Sequence, residues 1–210
     1  THSSTLFPYT TLFRSGLLQA LAEEMTRELR AHVTSADQRL SPGQSEPLTS
    51  KGVSFGVIKR RSDGSLDLTA VRGVSPDFVV RPFGWKGSTA TLRQVVLESL
   101  QQHHGMQADE LLRIASNQRR EFLGDGPDDD PDADGVQHEV TEGMVTALTT
   151  YVAALPPAME EVPEVSTFLL RAARGAELFG QLGCASCHVP TMNIDDPVIS
   201  VGPDKQHRPR

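Results

Sequence analysis

The two cysteines of the chain, Cys184 and Cys187, stand three positions apart, and His188 follows directly. This C-x-x-C-H spacing is that of c-type haem attachment. At positions i and i+3 of a helical turn the two thiols lie on one side, where each can add to a haem vinyl group. The adjacent imidazole is then placed to bind the iron. The spacing therefore predicts covalent haem c on Cys184 and Cys187, with His188 as an iron ligand.

Two other uses of this cysteine pair stay open. A zinc site needs four ligands, and the sequence contains no second C-x-x-C and no histidine pair at zinc-finger spacing from Cys187. A thioredoxin-like thiol pair lies at the start of a helix in a βαβ unit, whereas these cysteines follow a predicted helix. The spacing favours haem over zinc or a disulfide.

A second metal site is suggested by an acidic loop. Oxygen-bearing side chains alternate there and a glycine follows them, as in Asp130, Asp132, Asp134 and Gly135. This matches the first half of a calcium loop, although Thr141 stands where the bidentate glutamate belongs and Glu139 would have to substitute. A solvated acidic linker is the alternative.

Helical periodicity of apolar residues predicts the elements that position these sites. We expect helices over about 16–34, from Ser88 or Thr89 to 104, over 109–123, from about 144 to 155, and over 165–182. Residues 41–45 read as a linker. Alternating apolar residues on both sides of Asp63-Gly64 predict a β-hairpin. The predicted fold class is mainly α, with incomplete cytochrome c-like helical domains and one small β-hairpin.

Composition and charge exclude some functions. The net charge of −7 argues against nucleic-acid binding, and no apolar run is long enough for a membrane span. Residues 5–15 read like a translated sequencing-adapter oligonucleotide, so we expect residues 1–15 to be an artefact and the chain to be a fragment. We expect residues 16–160 to be an inter-haem region with the remainder of a first domain. Residues 161–210 would begin a truncated haem domain.

Three segments together carry a family resemblance: RPFGWKGSTATL at 81–92, HHGM at 103–106 and GCASCHVP at 183–190. They resemble the di-haem c-type cytochromes related to bacterial cytochrome c peroxidases, in the branch called di-haem oxidoreductase or putative thiol oxidoreductase. The resemblance covers most of residues 50–195. Residues 175–183 also resemble the N-terminal helix of class I cytochromes c, which makes Gly175 a helix-crossing point and Phe179 a wall of the haem pocket.

The resemblance implies a periplasmic two-domain protein with a haem in each domain, an electron-donor redox protein as partner, and peroxide or another small oxidant as substrate. The single motif here would belong to the electron-entry haem, and the fragment alone would be inactive as a peroxidase. A mono-haem electron-transfer cytochrome without catalysis is the alternative.

Further residues near these segments have two alternative interpretations or a packing role. Trp85 is either an electron relay between haems or a packing residue. His104, with its neighbours His103 and Met106, is either an iron ligand or acid/base group, or part of a polar helix end in solvent. Met192 is expected to be a packing residue.

Overall fold

The structure is a computed structural model that describes residues 4–5, 15–113, 135–136, 139–156, 166–186, 188–189 and 191–203. Its α-helices are α1 (Ser15–Arg39), α2 (Leu92–His104), α3 (Glu142–Ala154) and α4 (Ser166–Gln181), and residues 109–113 are also helical. Its strands are β1 (Ser4–Thr5), β2 (Ser45–Ser50), β3 (Val53–Arg60), β4 (Leu66–Asp67) and β5 (Thr191–Met192). Helix exceeds strand, as predicted, but the three-stranded antiparallel sheet β2-β3-β4 makes the described part a mixed α/β structure.

Helix α1 packs against the sheet through apolar residues at helical spacing. Leu21, Met25, Leu29 and Ala36 are buried in one cluster with Leu48 and other sheet residues. The helix continues beyond the predicted end at 34 because Ala36 also belongs to this core. Residues 41–45, predicted as a linker, contain the turn that leads into β2, a strand the sequence analysis missed because Pro47 interrupts it.

The predicted hairpin is confirmed, with Lys59 paired to Asp67 and Arg60 to Leu66 across the Asp63-Gly64 turn. The buried residues of β3 do not alternate as its apolar pattern predicts. Phe55 and Ile58 both face the core, whereas Val57 is exposed. Gly56, at φ 93°, absorbs the extra residue. A Cβ at this position would clash with the carbonyl oxygen of Ala70, so this bulge requires glycine.

Helices α2 and α3 form a second apolar cluster. Its buried members are Val96, Leu97, Leu100, Ala108, Val140 and Val145. Helix α2 starts later than predicted, because Thr91 and not Ser88 or Thr89 is the cap: its hydroxyl accepts a hydrogen bond from the N–H of Gln94. The predicted stop is confirmed, since Gly105 closes the helix in the left-handed conformation.

Residues 191–203, which follow the haem motif, lie against the first cluster and the start of α2. Met192 and Ile194 pack on the core of α1 and the sheet. The carboxylate of Glu24 accepts hydrogen bonds from the N–H groups of Asp195 and Asp196, and the guanidinium of Arg93 donates to the carbonyl oxygen of Val201. The described residues thus continue from the motif into a segment with several fixed contacts.

Among the helices of the described residues, none combines the length and apolar character needed to cross a membrane.

Candidate functional site

The haem motif follows α4 through a glycine turn. The N–H of Leu182 bonds to the carbonyl oxygen of Leu178, and Gly183 then leaves the helix with a φ of 78°. A short 3-10 helix, Cys184–Ser186, begins at the next residue. The N–H of His188 donates to the carbonyl oxygen of Cys184 at 2.9 Å. This hydrogen bond brings the backbones of Cys184 and His188, which are four residues apart, together in one turn.

Two of the three residues predicted to bind haem, Cys184 and His188, are among the described residues. Cys184 has a free, half-buried thiol. His188 is exposed, and within the described part of the chain its ring makes no hydrogen bond, so its nitrogens are available as ligands. Its ring lies edge-on to that of Phe179, with the two centroids 5.9 Å apart and the planes at 61°. Cys187 lies outside the described residues.

Helix α4 presents an apolar face that has no protein cover in the described structure. Every side chain described along it is exposed, and the large apolar ones at and beyond the helix are Phe168, Leu169, Leu170, Leu178, Phe179 and Leu182. The crossing that the resemblance placed at Gly175 does not occur among the described residues, because a Cβ built there would meet no atom within 4 Å. Exposed apolar surface of this extent is typical of a binding face.

Trp85 is 83% exposed, so the packing interpretation of this residue is wrong. It stands in a tight loop closed by paired hydrogen bonds between Phe83 and Thr89. Lys86 lies over its ring, with the ammonium nitrogen 5.8 Å from the ring centroid. Glycines at 84 and 87 adopt positive φ angles where a Cβ would clash, so the backbone of this loop requires glycine at both positions.

The structure does not bring the remaining predicted residues to the haem motif. His103, His104 and Met106 are exposed at the end of α2, which matches a polar helix end in solvent. Among the described residues, no hydrogen bond or ring contact joins them to His188. Met192 packs against the core, as expected.

The predicted calcium loop falls mostly outside the described residues, because Asp130, Asp132 and Asp134 are not among them. Glu139, the proposed substitute ligand, accepts a hydrogen bond from the backbone N–H of Gln107 at 2.5 Å. The described residues contain no group of three or more potential metal ligands. Calcium binding stays a prediction.

A charge cluster that the sequence analysis missed fixes the segment beyond the motif. The ammonium of Lys51 lies 2.7 Å from Glu24 and 2.6 Å from Asp195. Hydrogen bonds to these carboxylates, to Asp195 first, raise the pKa of Lys51. Burial raises the pKa of Glu24, but hydrogen bonds from Lys51 and two backbone N–H groups outweigh it and hold that pKa below its ordinary value. The three residues are far apart in sequence, so no local pattern signals the cluster.

Comparisons of the chain with known proteins found no match among family models, curated proteins or solved structures.

Proposed function

We propose that the chain carries one covalent haem c, bound through Cys184 and Cys187 with His188 as an iron ligand. In this proposal it is the electron-entry part of a periplasmic di-haem, peroxidase-like oxidoreductase, with residues 161–210 contributing to a cytochrome c-like domain. The observation that carries the proposal is the loop in which His188 bonds to the backbone of Cys184 and meets the ring of Phe179.

When bound, the haem supplies reversible one-electron chemistry. The two thiols would anchor the haem through thioether bonds, and the imidazole of His188 would bind its iron. The ring contact with Phe179 restricts rotation of that imidazole, and the exposed apolar side chains of α4 would supply apolar surface near a haem bound there.

Trp85 is the candidate relay in this proposal. Its indole is exposed on a loop that glycine turns hold in place, which suits contact with a second redox centre on another domain or partner. In the intact parent protein, Trp85→Phe should slow electron transfer between haems. Equal rates in the parent and the variant would remove this role.

The test of the proposal is covalent haem incorporation. The chain is exported to a bacterial periplasm that contains haem-attachment machinery, extracted with acid acetone, and examined as a pyridine haemochrome. We expect a c-type α-band that survives extraction. Cys184→Ser and Cys187→Ser should each lose one thioether bond, and the double variant should lose all covalent haem.

Variants of His188 and His104 test whether His188 is the iron ligand. His188→Gln should reduce the yield of mature protein and alter the spectrum of what remains, whereas His104→Gln, the matched control, should match the parent chain. A colourless protein containing stoichiometric zinc, or a Cys184–Cys187 disulfide in protein exported with the machinery, would overturn the proposal. Covalent haem without any second haem domain in the complete gene would favour the mono-haem electron-transfer cytochrome.

A further inference from the structure

A cleft of about 520 Å³ lies away from the haem motif, between α1 and the start of α2. Its other walls are Val79 and Val80 in the extended segment before α2, and residues 200, 202 and 203. This volume lies within the range of small-molecule binding sites.

Two arginines on adjacent turns of α1 supply free positive charge to this cleft. Arg27 is exposed and has no side-chain partner among the described residues. Arg30 donates its Nε–H to the backbone carbonyl oxygen of Asp77 at 3.1 Å, and its two terminal nitrogens have no partner in the described part of the chain. The carboxylate of Asp77 forms its ion pair with Arg81 and also attracts Arg30, but it makes no hydrogen bond to the two terminal nitrogens of Arg30, which can still bind a ligand.

The other charged residues of the cleft are already engaged. Arg93 lines it too, but its guanidinium pairs with Glu110 at 2.6 Å. Glu23 adds one negative charge, and its carboxylate accepts a hydrogen bond from the amide of Gln19 at 2.8 Å. Arg27 and Arg30 therefore keep guanidinium nitrogens without a described partner, and Glu23 is the carboxylate in the same lining, which favours an anion of low charge over a multiply charged one.

The rest of the lining is partly apolar, because Val79, Val80, Ala90 and Pro203 contribute to it. A ligand that fits needs an apolar body beside a single anionic group. Guanidinium groups bind carboxylates through two parallel hydrogen bonds, which gives both affinity and orientation. We propose that this cleft binds a small organic monocarboxylate, with Arg27 and Arg30 holding the carboxylate and the valines contacting the carbon skeleton.

Calorimetric titration of the full chain with benzoate tests this proposal, with inorganic phosphate as the comparison anion. We expect saturable binding of one benzoate per chain that weakens as salt concentration rises, and weaker binding of phosphate. Arg27→Gln and Arg30→Gln should each lower benzoate affinity by about tenfold, the effect of one charge-assisted contact. Glu23→Gln should raise affinity, because it removes the opposing charge.

Arg72→Gln is the matched control, since Arg72 is exposed, has no described side-chain partner and lies outside the cleft. Its affinity for benzoate should equal that of the parent chain. Melting temperatures of all variants confirm that each one folds, and the two exposed arginines should be replaceable without unfolding. Unchanged affinity in the double arginine variant, an equal loss in Arg72→Gln, tighter binding of phosphate, or no saturable binding would each overturn the proposal.

Discussion

Lys51 connects three parts of the chain through its ammonium group. It contacts Glu24 and Glu28 of α1 and Asp195 of the segment after the haem motif, at 2.7, 3.4 and 2.6 Å. Its side chain is 11% exposed and that of Glu24 is 5% exposed, so the pair is largely withdrawn from water. A pair in this setting contributes to stability mainly because the loss of one partner leaves a buried charge unpaired.

Lys51→Met should therefore lower the free energy of unfolding by about 3 kcal/mol. Glu24 would keep its two backbone hydrogen bonds but lose its countercharge. Chemical denaturation measures the loss, and Lys59→Met is the control because Lys59 is exposed and has no described side-chain partner. Equal stability of Lys51→Met and the control would contradict the assigned role.

The carboxyl group of Asp77, also a single residue, should make the stability of the fold depend on pH. A hydrogen bond from Arg81 is the main cause that lowers the pKa of Asp77 from its ordinary 3.8 to about 2, and the N–H of Val79 adds to it. A depressed pKa in the folded state means that the ionised carboxylate stabilises the fold. This contribution is complete well above pH 3.8 and is lost as pH falls toward 2.

The difference in unfolding free energy between the parent chain and Asp77→Asn should thus be constant near neutral pH. This difference should shrink as the pH falls from 3.8, the ordinary pKa of an aspartate, to about 2, the pKa of Asp77 in the folded chain. Denaturation curves over this range measure it. A difference that stays the same down to pH 2 would show that the ion pair with Arg81 does not form.

At the scale of elements, the bulge in β3 sets which side chains enter the core. Gly56 allows Phe55 and Ile58 to point to the same side of the sheet. Gly56→Ala should cost about 3 kcal/mol, because positive φ and a clash with the Ala70 carbonyl act together. Gly64→Ala is the control: its φ is also positive but a Cβ there meets nothing within 4 Å, so it should cost about 1 kcal/mol. Equal losses would mean that the bulge relaxes around a Cβ.

Helix α4 should be the least protected helix of the chain before haem attachment. Its described side chains are all exposed, whereas Leu29 and Ala36 of α1 are fully buried. Hydrogen exchange should be fast over 166–181 in the haem-free chain and slow in the matured one, with α1 slow in both. Similar protection of α4 in the two forms would mean that the haem does not cover this face.

Local patterns predicted most helices and the hairpin of β3 and β4, but not β2, the third strand of the sheet. Helix α1 was predictable from the spacing of its apolar residues, and the end of α2 was predictable from Gly105. Both signals lie within a few residues of the element they define. Strand β2 has a proline in its middle and polar residues around it, and its partner supplies the pairing. A strand that forms because it pairs with a neighbouring strand has little β-strand pattern in its own sequence.

The same contrast holds for the candidate sites. The predicted haem motif can be recognised in the sequence because Cys184, Cys187 and His188 lie within five residues, and its role in haem binding stays a prediction. The cleft with Arg27 and Arg30 was missed because residues from α1, from 79–80 and from 200–203 meet only in the folded chain. Trp85 lies between these cases: the family resemblance singled out its segment, but its exposure is seen only in the folded chain.

At the scale of the whole molecule, the described residues contain two apolar clusters. One cluster lies between α1 and the sheet and the other between α2 and α3. Their elements are connected by a buried hydrogen bond that Gln19 of α1 accepts from the N–H of Leu92, while Arg93 links α2 to Thr146 of α3. Against this framework, the haem motif stands between the uncovered α4 and the fixed segment 191–203.

The chain by itself is expected to transfer electrons without acting as a peroxidase. Peroxide cleavage needs a positioned acid/base group near an open iron site, and the described residues place no such group beside His188. His104, the candidate from the sequence, lies exposed at the end of α2. The matured chain should accept and release one electron per haem but show no peroxidase turnover above that of the Cys184→Ser/Cys187→Ser double variant.

Stopped-flow reduction and a peroxidase assay on the same preparation measure the two properties. Addition of the complete parent protein's other haem domain, if the gene encodes one, should restore turnover, and Trp85→Phe should weaken that restoration. His104→Gln, in contrast, should leave electron exchange unchanged. Peroxidase turnover by the 210-residue chain alone, abolished by His104→Gln, would reverse the assignment and make this chain the catalytic part.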